Sequence, residues 1–123
     1  MHVVSFSEGE LVKRTCSPFH FGGCLKEVEI QKQILAVLKN LRIKAWRSNN
    51  IAVKGRKFIG LKGVPDILGV LPPHGTMLAI EVKTEKGIQS DEQREFQAMC
   101  VENGAVYILA RSIQDVIDVV MKL

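Results

Sequence analysis

Acidic residues are missing from the middle of this chain. From Ile30 to Pro65 there is no aspartate or glutamate, and Lys32, Lys39, Arg42, Lys44, Arg47, Lys54, Arg56, Lys57 and Lys62 all fall in that interval. More than half of the 17 basic residues therefore sit in one segment, in a chain of net charge +4. A charge run can be no more than a solvated face. Its concentration here favours a phosphate-binding surface, where each neutralised phosphate releases counterions and adds affinity. Aromatic residues are also scarce, at 6%. Trp46 and Phe58 are the only two in the basic segment, so heavy stacking on single strands is not expected. Trp46 reads as a core side chain, and a surface that grips duplex backbones by shape fits better.

No apolar run approaches the ~20 residues of a membrane span. The opening residues, MHVVSFSEGELVKRTC, contain no long apolar segment of the secretory kind, so a cytosolic chain is expected. Cysteines number three, an odd count that argues against a disulfide framework. Cys16, His20 and Cys24 lie four apart. They offer three ligands with no obvious fourth, at a spacing unlike the usual zinc patterns, and the plainer reading is a loop with two free thiols. With 123 residues the chain suits one domain that needs no staples.

Hydrophobic periodicity predicts an α-β-β-β-α-β-α order. Residues 1–24 lack periodicity and read as an arm; residues 25–123 read as the domain. LKEVEIQKQILAVLKNL (25–41) is a helix, with apolar residues at Ile30, Ile34, Leu35, Leu38 and Leu41. RIKAWRS (42–48) reads as a strand. A basic, glycine-punctuated excursion follows (49–63), a hairpin or a mobile loop. VPDILGVL (64–71) and TMLAIEVKT (76–84) are strands joined by the turn PPHG. SDEQREFQAMCVEN (90–103) is a helix that Ser90 can cap, with Gly104 past its end. AVYILA (105–110) is a buried strand and SIQDVIDVVMKL (112–123) an amphipathic helix. The last strand follows a crossover helix and is expected parallel to an earlier one. The result is a mixed sheet flanked by helices.

The stretch GVPDILGVLPPHGTMLAIEVKTEKG (63–87) sets three charges in apolar runs. Either they face water at strand ends or something compensates them, since burying an unpaired charge costs several kcal/mol. Glu81 and Lys83, two apart on a strand, share a face, while Ile80 and Val82 point the other way. A four-residue turn between paired strands can bring Asp66 near Glu81. Two close carboxylates raise each other's pKa unless a cation joins them. Lys83 can neutralise one; a divalent cation would neutralise both, and hard oxygen donors favour Mg²⁺ or Mn²⁺. On the first helix, Glu27 and Gln31 lie along the apolar stripe and Glu29 points to solvent. A glutamate and a glutamine on a core stripe make sense if its N-terminal end borders a metal site. Glu-x-Lys alone carries little weight; combined with Gly-x-Pro-Asp and the helix glutamate it is far more specific.

The combination VPD…IEVK resembles the PD-(D/E)XK nuclease superfamily. EVEIQKQIL, IKAWRSNN, GVPDILGV, LAIEVKTEKG, SDEQREF and VYILARSIQDV point further, to its VRR-NUC family, over residues 25 to about 120. The resemblance implies a restriction-endonuclease-like α/β core. It also implies a homodimeric, structure-selective DNA endonuclease similar to Holliday junction resolvases, encoded by a bacterium or a phage. It implies Mg²⁺ or Mn²⁺ held by Glu27, Asp66, Glu81 and the Val82 carbonyl. It implies that Lys83 orients or helps deprotonate the attacking water, and that Gln31 and Gln93 are polar neighbours of the site. Arg47, Lys54, Arg56, Lys57, Lys62 and Lys86 are the expected DNA contacts. Competing expectations are a duplex-nicking or restriction-type nuclease, a non-catalytic DNA-binding module and a protein-interaction subunit. The carboxylate cluster, costly to keep without chemistry, argues against the non-catalytic DNA-binding module.

Overall fold

A computed structural model describes residues 26–49, 55–57 and 60–123. In chain order these form α1 (Glu27–Asn40), β1 (Lys44–Arg47), β2 (Ile67–Leu71), β3 (Thr76–Val82), α2 (Asp91–Glu102), β4 (Val106–Ala110) and α3 (Ile113–Val120). The expected order holds, with element ends drawn in by up to three residues. The arm, the Cys16/His20/Cys24 set, Lys54 and Phe58 lie outside the described residues. Of the excursion 49–63, the described part is turn, bend and irregular backbone.

The four strands lie in the order β1-β2-β3-β4. β1–β2 and β2–β3 are antiparallel, and β3–β4 is parallel. Antiparallel connections fold β1, β2 and β3 into a meander; the α2 crossover returns the chain beside β3 in the same direction. Gly75 closes the β2–β3 turn at φ +77, its amide donating to the Leu71 carbonyl at 2.9 Å. A glycine adopts that backbone without steric cost.

Helices cover both faces of the sheet. The α1 stripe of Ile30, Ile34 and Leu38 packs with α3 on Ile67, Ile80 and Val82. On the opposite face α2 lays Phe96 and Cys100 over Ala79 and Tyr107. Covering both faces explains why β3 is buried through five successive residues, Leu78–Val82, instead of alternating. Two side chains depart from the expected burial. Leu41, placed on the apolar stripe, caps the end of α1 and is exposed. Trp46, expected in the core, is 44% exposed, because α2 packs chiefly against β4 and does not blanket the β1 end of that face.

Candidate active site

The β2–β3 register builds the site. Ile67 pairs with Ile80, which sets Asp66 opposite Glu81 at the next step, on the face that carries Ala79 and looks toward α2. Asp66 Oδ2 accepts a hydrogen bond from the Val82 amide at 2.9 Å, locking the aspartate to β3. Gly63, three residues earlier, has φ +83, and a Cβ there would lie 2.3 Å from the Glu92 carbonyl oxygen. Only glycine lets this loop press against the first turn of α2 and deliver Asp66 to the strand end.

Glu81 is 2% exposed. Its Oε1 accepts from Gln93 Nε2 at 3.0 Å and lies 3.7 Å from Lys83 Nζ. Its Oε2 is enclosed without a hydrogen-bond partner. Burial and the neighbouring Asp66 carboxylate push the Glu81 pKa from 4.5 to about 8, while Lys83 pulls it partly back and Glu27 adds the weakest upward push. The other fully buried acid among the described residues, Asp115, accepts from the Arg111 and Ser112 amides at 2.9 and 3.2 Å, so its burial is answered by the backbone. Glu81 keeps an oxygen with no hydrogen-bond partner among the described residues, beside the Asp66 carboxylate.

Gln93 has its orientation set by helix capping. Its Oε1 accepts from the Ser90 amide at 2.8 Å, while Ser90 Oγ accepts from the Gln93 amide at 3.2 Å. This reciprocal box occupies the amide oxygen and turns the NH₂ toward Glu81. The Ser-x-x-Gln spacing at 90–93 was the sequence signal for that contact. Another positioning group had no such signal: Arg111 Nη1 donates to the carbonyls of Thr84, Glu85 and Gly87 at 2.6, 3.0 and 2.8 Å. It ties down the loop that leaves Lys83.

The structure brings Asp66, Glu81, Lys83 and Gln93 together and seats the Val82 backbone beside them. Glu27, half-buried at the start of α1, reaches Glu81 only through its field. No three His, Cys, Asp or Glu side chains converge closely enough to hold a metal among the described residues. The donor set is a carboxylate pair, which suits a hard cation that keeps several waters. Gln31 is half-buried on the helix stripe. Arg47 is half-buried on the α1 side of the sheet, opposite Ile67, and its Nη2 is enclosed without a hydrogen-bond partner. Arg56, Lys57, Lys62 and Lys86 are exposed.

Glu29 is exposed, and its Oε2 accepts from the Lys26 amide at 3.3 Å. It serves the end of α1 and does not face the carboxylates. Glu27→Gln is therefore expected to lower cleavage at least tenfold, about 1.4 kcal/mol of barrier. Glu29→Gln should cost only a few tenths of a kcal/mol in stability. Single-turnover cleavage and thermal melts of the two variants measure this, and the reverse ranking would show that the wrong glutamate has been assigned to the site.

A mixed sheet between helices gathers acidic, basic and amide side chains at one end of its central strands. The VRR-NUC domain model matches residues 7–114, and the chain belongs to that family, which implies a nuclease-type function on DNA. A solved structure described as a VRR_NUC domain is similar in fold, with TM-score 0.56 and 24% identity over 77% of this chain and 94% of that one. No curated protein matches the chain. No helix among the described residues is long and apolar enough to cross a membrane.

Proposed function

We propose that this protein is a divalent-metal-dependent endonuclease that hydrolyses phosphodiesters at branched DNA, such as four-way junctions. The observation that carries the reading is the buried Glu81, held against Asp66 with one carboxylate oxygen unanswered and Lys83 3.7 Å from the other. Asp66, Glu81 and the Val82 carbonyl would hold Mg²⁺ or Mn²⁺, and Glu27 adds negative field. When bound, such a cation polarises a non-bridging phosphate oxygen and lowers the pKa of water beside it. Lys83 orients the attacking water, helps remove its proton and offsets the charge that builds on the phosphorane oxygens. Gln93 holds Glu81 in place through its NH₂. An assay on junction, flap and plain duplex DNA, with and without Mg²⁺ or Mn²⁺, tests the reading. Cleavage is expected only with metal and preferentially on branched substrates; equal cutting in EDTA would overturn it.

Cutting a four-way junction symmetrically needs two sites related by a two-fold axis, so a homodimer with both sites on one basic face is the proposed assembly. The exposed Arg56 and Lys57, with Lys54 beside them in sequence, are the proposed grip on the DNA backbone. Replacing all three by alanine should weaken junction binding and flatten its salt dependence by about 0.9 in log–log slope for each phosphate no longer neutralised. The fold should survive, since Arg56 and Lys57 are exposed. Unchanged binding would move the DNA grip to Arg42, Arg47 and Lys86. Symmetric cutting by a protein that light scattering shows to be monomeric would defeat the dimer.

A further inference from the structure

Trp46 is the chain's single tryptophan, and it is 44% exposed, on the sheet face that carries the carboxylates. The register makes the geometry explicit. Trp46, Leu68, Ala79 and Tyr107 form one cross-strand row on the α2 side. The next row on the same face is Ser48, Asp66 and Glu81: the Ser48 amide donates to the Asp66 carbonyl at 2.9 Å, extending the β1–β2 ladder. Trp46 is thus one row from Asp66 on the neighbouring strand, with Cα atoms roughly 8 Å apart from ideal strand spacings, a span that one nucleotide bridges. On the other side of Trp46 lies the row Lys44, Val70 and Met77, all exposed. Leu68, half-buried, forms the floor between them.

A large exposed indole with a lysine two residues along its strand, leading into a carboxylate pair, has the makings of a base-stacking step. Every nucleobase offers a π-face to such a ring, and an adjoining cation can take the phosphate. A paired base inside a duplex cannot lie on the indole, whereas an unpaired one at a branch can. A nucleic acid suits this face better than a second copy, because the exposed Lys44 on it complements a phosphate. We infer that the open face along β1 holds an unpaired nucleobase stacked on Trp46, with Lys44 on its phosphate, beside the bond to be cut. The inference rests on the nuclease reading of the site and names the substrate feature that the site recognises: unpaired nucleotides at a branch.

With one tryptophan, emission reports this contact directly. The wild-type chain in EDTA is titrated with end-labelled flap DNA and with plain duplex of the same length, following label anisotropy for binding and tryptophan emission for stacking. Emission should be quenched by the flap in step with binding and barely change with bound duplex. Trp46→Ala should weaken flap binding about tenfold, the worth of one stacked base, and leave duplex binding unchanged; Trp46→Phe should recover most of the affinity. Flap binding without a change in emission overturns the inference while leaving the nuclease reading intact. Equal weakening on flap and duplex in Trp46→Ala also overturns it. Emission that shifts with protein concentration in the absence of DNA would identify the face as an interface between copies and overturn it too. No binding to either DNA would remove the nuclease reading and this inference together.

Discussion

Asp66→Asn is expected to lower cleavage by about a thousandfold or more while DNA binding stays within a few-fold of wild type, and Glu81→Gln should do the same. The magnitude is that of removing a group that acts as part of one catalytic unit. The structure explains why both variants should still fold. Asp66 Oδ2 accepts from the Val82 amide, and an asparagine carbonyl oxygen can accept that same bond. Glu81 Oε1 accepts from Gln93 Nε2, and a glutamine oxygen can do likewise. Each change removes a carboxyl group from the site and leaves the proposed phosphate-binding side chains in place. Electrophoretic binding assays beside single-turnover cleavage separate the two effects. Wild-type rates in both variants would refute the site; binding that falls in step with cleavage would show that the carboxylates serve the fold or the grip and not the chemistry. Lys83→Ala should also be inactive, with divalent-metal binding retained.

Without divalent metal, stability should fall as the pH rises from about 5 to about 8, and Glu81 should be the main cause. In the folded chain its pKa is pushed from 4.5 to about 8, first by burial and next by Asp66. Below the ordinary value the carboxyl is protonated in both states, and the folded state carries no penalty. Between the two values the unfolded chain releases the proton first, so each pH unit costs the folded state up to about 1.4 kcal/mol. Above the folded value both states are ionised and stability is at its lowest. Glu81→Gln removes the ionisation, so it should flatten this slope and be more stable than wild type near pH 8 by about 2–4 kcal/mol. Mg²⁺ or Mn²⁺ added at that pH should stabilise the wild type, since a ligand bound only by the folded state shifts the equilibrium by mass action, and should leave the glutamine variant unmoved. Denaturant titrations in EDTA across the range measure both curves. Identical pH slopes for wild type and Glu81→Gln would sink the assignment of this buried charge.

The element order was legible in the sequence because period and punctuation are local. The stripe of Ile30, Ile34 and Leu38, the Ser90 cap with Gln93 and the apolar run before Glu81 need nothing beyond a few neighbouring residues to declare helix or strand. The same stripe separates the half-buried Glu27 from the exposed Glu29. Pairing of Asp66 with Glu81 was also foreseeable, since the turn Pro72–Gly75 is short enough to set the register. The environment of Trp46 was not legible. Alternation along β1 says which residues share a face, but whether a face is covered depends on where α2 comes to rest, and α2 settles over β4. The Arg111 bonds to Thr84, Glu85 and Gly87 were equally hidden, because they join groups 24 to 27 residues apart in sequence.

What the sequence by itself determined is the order of elements, the polarity of their faces and the chemical types placed at strand ends, all consequences of side-chain periodicity over short distances. What only the tertiary structure decided is how deeply each charge is buried. Glu81 acquires its raised pKa and its unanswered oxygen because α2 and Asp66 close over it from different parts of the chain. Desolvation is set by everything that packs around a group, and no local pattern encodes that sum.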